Sequence, residues 1–432
     1  MQLSRYNIIS EIPGSEDYVI ANLLSGHADI LKPAELQQLK EGGGLSSADF
    51  FHKGYLTDPE AEKQRFRLAY IDFLEQRDQE EVQVFFAPTY LCNFQCSYCY
   101  QAPYLNKPDK LSPEVTDAFF HYINTYLGDR RKYVTLFGGE PLLADKAYKD
   151  SIAGFVNTCQ TNGLDLAVVT NGYLLDQYID IFKNVSIREI QVTLDGPEEV
   201  HNRRRPHKGG RDSFARIAGS IDDCLDAGLP VNLRMVVDRE NLHTLPDLAR
   251  YAKNRGWTDS SLFKTQLGRN YELHHCHSDG GALFSRLSLY QELYQMLQEH
   301  PEILDFHRPA FSIARFLSDN GRLPAPLFDA CPACKGEWAM DYTGKIYGCT
   351  ATVGKPGEEL GSFYPVVSHH ENKIEEWQRR DITTIEACRQ CDIQLACGGG
   401  CGSLAKNKFG GIHEADCRPV REILGMGVAT YF

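Results

Sequence analysis

Short apolar runs closed by turn residues recur along the middle of the chain. Residues 133–137 (YVTLF) end in Gly138-Gly139-Glu140-Pro141, residues 166–170 in Asn171-Gly172, residues 190–194 in Asp195-Gly196-Pro197, and residues 231–237 in Asp238. Each run is short, rich in β-branched or aromatic residues and bounded by turn chemistry, which predicts a strand. Helical stretches fall between and beside them, at about 113–127, 214–227 and 245–254. Alternating strands and helices predict parallel βαβ units. Parallel strands covered on both faces are expected to be apolar throughout. The polar residues that follow each run would then ring one mouth of a barrel.

The first eighty residues read differently. Strands are predicted around 6–10 and 18–24 on either side of Pro13-Gly14, with a third at 27–31. A helix over 33–40 closes at Gly42-Gly43-Gly44, and a second spans about 58–77. An open sheet edge of this kind can accept an added peptide strand. A cap that buries the flank of the barrel explains the same residues.

Fourteen cysteines change the picture. Three of them, Cys92, Cys96 and Cys99, are spaced C-x3-C-x2-C, with Tyr98 just before the third. Three thiolates hold three irons of a four-iron cluster and leave the fourth open. A zinc knuckle would need a fourth Cys or His close by, and the next histidine is His121. Eight more cysteines follow between Cys331 and Cys417: Cys331, Cys334, Cys349, Cys388, Cys391, Cys397, Cys401 and Cys417. Paired C-x2-C units with further cysteines also suit zinc. The remaining Cys159, Cys224 and Cys276 read as small buried or loop residues.

The cysteine triplet, the Gly138-Gly139-Glu140 segment about forty residues later, and the stretch from Thr193 through Asp195-Gly196-Pro197 and His201 to Arg205 together resemble the radical S-adenosylmethionine (radical SAM) enzymes. The later cysteines resemble the SPASM extension of that family, and the whole resembles its ribosomal-peptide maturases. The resemblance implies an α/β fold: a partial (β/α)6 TIM-like barrel over 83–320, a winged-helix-like N-terminal module over 1–82 that docks a leader peptide, and a SPASM domain over 321–432. It implies SAM and three [4Fe–4S] clusters as cofactors. Cys92, Cys96 and Cys99 would hold the SAM-binding cluster. Cys331, Cys334, Cys349 and Cys401 would hold a first auxiliary cluster, and Cys388, Cys391, Cys397 and Cys417 a second. Cys331 lies ahead of the core motif; without it the first auxiliary cluster would keep an open iron.

By the same resemblance Gly138, Gly139 and Glu140 would hold the methionine end of SAM. Thr193 and Arg205 would orient its ribose and carboxylate, and Tyr98 would lie near the adenine. A solvated basic loop explains Arg203 and Arg204 equally well. The implied activity is reductive cleavage of SAM to a 5′-deoxyadenosyl radical, then hydrogen abstraction from a precursor peptide to form a thioether or carbon–carbon cross-link. A flavodoxin or ferredoxin would donate the electron. Sulfatase-maturating relatives oxidise a side chain instead and use an aspartate directly after the cysteine that matches Cys349. Here that residue is Thr350, which favours the cross-linking reading. A non-catalytic zinc or iron–sulfur scaffold is the alternative from another class, and it would need no SAM contacts.

Composition limits the rest. A formal charge of −13 argues against broad nucleic-acid binding. Many free thiols point to a reducing compartment, low-potential clusters to an oxygen-protected one, and the polar opening Met1-Gln2-Leu3-Ser4-Arg5 to a cytoplasmic protein without a signal peptide or membrane span. The cluster His274-His275-Cys276-His277 and the pair His369-His370 are weak metal candidates, because adjacent side chains on an extended chain diverge.

Overall fold

The computed structural model describes residues 2–42, 47–104, 111–270 and 281–432. Its strands in chain order are β1 (Gln2–Leu3), β2 (Asn7–Glu11), β3 (Tyr18–Asn22), β4 (His27–Leu31), β5 (Leu56–Thr57), β6 (Val82–Ala87), β7 (Lys132–Leu136), β8 (Asp165–Thr170), β9 (Ile187–Thr193), β10 (Val231–Val237), β11 (Phe263–Arg269), β12 (Glu337–Asp341), β13 (Lys345–Tyr347), β14 (Gly361–Ser362) and β15 (Ser368–His369).

Strands β6 to β11 lie side by side in chain order and run parallel. The alternating pattern predicts four of these strands, β7 to β10, and the family resemblance implies the full set of six. Helices cover its outer face. Phe86 of β6 packs on Phe119 and Phe155, with ring centroids 4.6 and 4.9 Å away, from the helices Pro113–Tyr126 and Lys146–Thr161. Ser112 and Asp145 cap those helices by accepting from the Val115 and Tyr148 amides.

The strands are not apolar throughout. In β10, Val231, Leu233, Met235 and Val237 are buried, whereas Asn232, Arg234 and Val236 on the other face are half-buried. In β11, Lys264 and Gln266 are exposed. The inner face of the sheet is left open rather than filled by packing, so polar side chains there keep access to water.

The wall does not stop at β6. Strand β12, from the C-terminal third, pairs parallel to the other edge of β6, with Glu337 opposite Gln83 and Asp341 opposite Ala87. Antiparallel β13, β14 and β15 extend the same sheet.

At the N-terminus β2, β3 and β4 form an antiparallel sheet. The helix Pro33–Lys40 follows, and the helix Pro59–Gln79 is capped by Asp58, which accepts from the Glu60 and Ala61 amides. Gly43 and Gly44 of the expected helix stop lie outside the described residues. The last helix, Val420–Tyr431, packs on β2. Its Gly425 gives its N–H to Ser10 Oγ at 3.0 Å, and Ser10 donates to Arg421 O at 2.6 Å.

Candidate active site at the strand C-termini

The loop leaving β6 carries Cys92, Cys96 and Cys99. One flank is fastened by backbone bonds to residues 204–208: Gln95 N to Pro206 O (2.9 Å), Ser97 N to Arg204 O (3.1 Å) and Lys208 N to Asn93 O (2.8 Å). The other flank is fastened to the end of β7, where Phe137 N donates to Phe86 O, Gly139 N to Thr89 O (3.2 Å) and Glu140 N to Leu91 O (2.7 Å). The glycines make this approach possible. Gly138 has φ 129°, and a Cβ on Gly139 would be driven into the carbonyl oxygens of Leu91 and Tyr90. The closest partner of the Gly-Gly backbone is therefore the cysteine loop itself.

The three thiols are electrostatic neighbours. Burial pushes Cys92 up to about 12 and Cys96 up to about 11; the nearby Arg205 guanidinium pulls Cys96 back. Glu140 is buried, and its carboxylate turns inward. It accepts from Thr170 Oγ1 (2.6 Å), the Leu142 amide (2.9 Å) and the Asn171 amide (2.7 Å). Burial lifts its carboxyl to about 7 against the pull of those bonds.

Thr193 is the buried last residue of β9. Two residues on, Asp195 is fully buried and accepts from the Tyr98 hydroxyl (2.5 Å) and the Val236 amide (3.0 Å). The same hydroxyl accepts from Arg205 at 2.5 Å. Tyr98 thus bridges Arg205 to Asp195, and burial pushes its phenol well above the ordinary range.

Arg203 is exposed, but Arg204 is buried and pairs with both oxygens of Asp238 at 2.9 and 2.8 Å. A lone basic run in sequence gives no sign of that difference; the carboxylates that hold Arg204 come from the ends of β9 and β10. The Nε atoms of Arg204 and Arg205 are both buried without a hydrogen-bond partner. His201 stays neutral: its Nδ1 accepts from the Asp195 amide, its Nε2 faces Ser213, and burial drives its pKa well down.

The C-terminal cysteines sort into two electrostatic neighbourhoods. Cys334 lies beside Cys331 and Cys349, and Cys349 beside Cys331 and Cys401. Cys388 lies beside Cys391, Cys397 and Cys417. Gly398, Gly399 and Gly400, between Cys397 and Cys401, all have positive φ, a turn that side chains would strain.

Arg380 is wholly buried and clamps this turn, donating to Gly399 O, Gly400 O and Ile412 O. Lys335, also buried, pairs with Asp329 and donates to Trp377 O and Arg380 O. Asp416 accepts from the Cys401 amide and from Arg286. Arg380, Lys335, Asp416 and Arg286 do not stand out in the sequence, because each acts on backbone or side chains distant in the chain. Thr350 gives its N–H to Glu337, whose carboxyl burial raises to about 7.

All thirteen described cysteines are free thiols. Among the described residues no three His, Cys, Asp or Glu side chains close on a single ion. His274, His275, Cys276 and His277 lie outside the described residues, and His369 is bonded to the Tyr122 hydroxyl at 2.8 Å. The three cysteine sets suit multi-iron clusters, whose thiolates spread around several metal atoms. The orphaned Arg205 Nε beside Cys96 leaves a donor for an anionic ligand.

Residues 86–252 match the model of the Radical SAM superfamily. The chain carries a radical SAM domain. Such a domain implies SAM and a [4Fe–4S] cluster. The chain is 25% identical over 382 residues to the serine-type anaerobic sulfatase-maturating enzyme of Bacteroides thetaiotaomicron, covering 79% of this chain and 86% of that protein. It is 29% identical over 172 residues to the GTP 3′,8-cyclase of Nautilia profundicola, covering 39% of this chain and 51% of that one.

Among solved structures, anSMEcpe with bound AdoMet superposes with a TM-score of 0.61 at 16% identity, over 82% of this chain and 92% of that one. Streptococcus suis SuiB bound to precursor peptide SuiA superposes with a TM-score of 0.53 at 12% identity, over 96% and 98%. These likenesses show the fold, an α/β barrel of the radical SAM type. Among the described residues no helix is long and apolar enough to cross a membrane.

Proposed function

We propose that this radical SAM enzyme modifies a side chain of a ribosomal precursor peptide, installing a thioether or carbon–carbon cross-link. The observation that carries the reading is the meeting, at the C-terminal ends of β6, β7 and β9, of the Cys92-Cys96-Cys99 loop, the Gly138-Gly139-Glu140 turn and the Arg205–Tyr98–Asp195 chain.

In this reading the three cysteines hold the SAM-binding cluster, and the two C-terminal neighbourhoods hold two auxiliary clusters. Bound SAM and its cluster supply a hydrogen-abstracting radical. Gly138 and Gly139 set the distance between the cysteine loop and β7, and Glu140 holds the end of β8 in place. Arg205, kept charged and aimed by Tyr98 and Asp195, receives the SAM carboxylate. Thr193 lines the ribose side. Residues 1–82 dock the leader peptide along an open strand edge, residues 83–320 form the catalytic barrel, and residues 321–432 carry the auxiliary clusters. A flavodoxin or ferredoxin in a reducing cytoplasm supplies electrons.

A second reading, side-chain oxidation of the sulfatase-maturating kind, is supported by the Bacteroides relative. It also gains from Glu337, a carboxylate held at Thr350, where those enzymes place an aspartate.

The test is 5′-deoxyadenosine formation by anaerobically reconstituted, dithionite-reduced protein. Wild type is expected to produce it and Cys96→Ala to lose it. No product from fully iron-loaded wild type would sink the enzyme reading. Tandem mass spectrometry of a co-expressed neighbouring short peptide separates the two chemistries: oxidation of a serine and formation of a cross-link each remove two hydrogens, but only the cross-link joins two residues and suppresses fragmentation between them, whereas the oxidised side chain carries an aldehyde that a hydrazine captures.

A further inference from the structure

The inner face of the barrel holds a cation that no described side chain pairs with. Arg234 sits on β10 with Asn232 and Val236 on the open face, opposite buried Leu233 and Met235. Its register partners are Thr193 on β9 and Gln266 on β11. The guanidinium does not stay at that level. A Cβ placed on Gly268, which pairs with Val236, would meet Arg234 Nη2 at 2.8 Å and Nε at 2.9 Å. The side chain therefore runs toward the C-terminal mouth and fills the space that glycine at 268 leaves.

Arg204 and Arg205 at this mouth each already have a protein partner. Arg204 is held by Asp238 and Glu240, and Arg205 by Tyr98. Asp195 is taken by Tyr98, Val236 N and Arg204. The nearest acidic side chain on the neighbouring strand, Glu189, accepts from Asn232 instead. No described residue makes a hydrogen bond or ion pair with the Arg234 guanidinium; its backbone carbonyl accepts from the Leu194 amide. A half-buried guanidinium with no counter-ion among the described residues, one strand away from Thr193, is poised for a planar anion that it can grip with two parallel N–H groups.

We propose that Arg234 binds a carboxylate of the substrate, an acidic side chain or a terminal carboxylate next to the reacting residue, and so fixes which part of the peptide faces the SAM site. The proposal rests on the peptide-modifying reading above. The other carboxylate that reaches this mouth is SAM's own, and the experiment separates the two sources.

Reconstituted wild type, Arg234→Gln and Arg234→Lys are compared at equal iron content. SAM affinity is measured by equilibrium dialysis. Binding of N-acetyl-glutamate methylamide and of its glutamine twin to the SAM-loaded proteins is followed by ligand-observed NMR. Wild type is expected to prefer the acidic probe by at least about tenfold, the scale of one charge-assisted pair. Arg234→Gln should lose that preference, Arg234→Lys should keep part of it, and all three should bind SAM within about twofold.

Equal binding of the two probes by wild type overturns the proposal, and that arm stands even where a variant fails to fold. A roughly tenfold loss of SAM affinity in Arg234→Gln assigns the residue to SAM and overturns the substrate role. Both readouts are equilibrium binding, so absence of SAM cleavage, which would defeat the enzyme reading, leaves a different signature.

Discussion

Tyr90 and Tyr347 donate to the same carboxylate oxygen of Asp341, at 2.5 and 3.1 Å. Tyr90 stands two residues before Cys92, and Tyr347 two residues before Cys349. One buried carboxylate thus holds the approach to the first cysteine loop and the approach to an auxiliary cysteine at a fixed separation. Its other oxygen accepts from the Thr343 amide and hydroxyl. Asp341→Ala strands two buried phenols, and each unsatisfied group costs about 1–3 kcal/mol. The expected result is a loss of roughly 3 kcal/mol or more in urea unfolding, with iron lost from both sites. Tyr347→Phe should cost about 1 kcal/mol and spare the Cys92 loop.

Gly139 and Gly154 should respond in opposite directions to one methyl group. At Gly139 the new Cβ meets Tyr90 O at 2.5 Å and Leu91 O closer still, and neither backbone atom can swing away. At Gly154, exposed in the helix Lys146–Thr161, nothing lies within 4 Å. Gly139→Ala is expected to cost on the order of 1–3 kcal/mol and to abolish iron binding by the Cys92 loop. Gly154→Ala should gain about 0.5–1 kcal/mol from helix propensity. Thermal melts of the apoprotein and iron content after reconstitution give both answers.

His201 gives a pH signature. Its folded pKa is held well below the ordinary 6.5 by burial, with Arg205 adding to the effect. The unfolded chain therefore binds the extra proton first. Stability contributed by neutral His201 is present above pH 6.5 and is lost as pH falls below it, by up to about 1.4 kcal/mol per pH unit. His201→Gln should be less stable than wild type at pH 7.5, and the gap should narrow between pH 6.5 and 5. Denaturant titrations of the two proteins across that window measure the difference and cancel the other titrating groups.

The two C-terminal neighbourhoods predict a pattern of non-additivity. Cys349→Ala and Cys401→Ala should each remove about four of about twelve irons, and the double variant should remove no more than either. Cys349→Ala with Cys388→Ala should remove about eight. The Cys92 cluster and its SAM cleavage should persist in all of them. Iron analysis with low-temperature EPR reads the count and the cluster that is missing.

Much of this was open to reading from the chain. Strands β7 to β10 each carry an apolar run and a turn signal, so their parallel order follows from spacing. The cysteines announce themselves by type and interval. Strand β11 hides because Lys264 and Gln266 break its apolar pattern on the open face, and β12 because it belongs to the wall of the barrel yet lies far along the chain. Arg204, Asp238, Lys335 and Arg380 are invisible for a related reason. A buried charge looks like a surface charge until its partner, contributed from elsewhere, is placed beside it. The turn Gly138-Gly139 shows the limit of local reasoning most clearly: its need for glycine is set by the loop carrying Cys92, not by a ligand alone.

Strand β12 has a consequence for how the molecule comes into being. The strand that leads to the Cys92 loop receives one of its two neighbours only when residues 337–341 have been synthesised. Until then β6 presents unpaired amides and carbonyls along an apolar strand, the kind of edge that recruits other chains. Emergence from the ribosome therefore leaves the Cys92 loop waiting on the last quarter of the polypeptide. A fragment ending near residue 320 lacks that neighbour and should accumulate as aggregate.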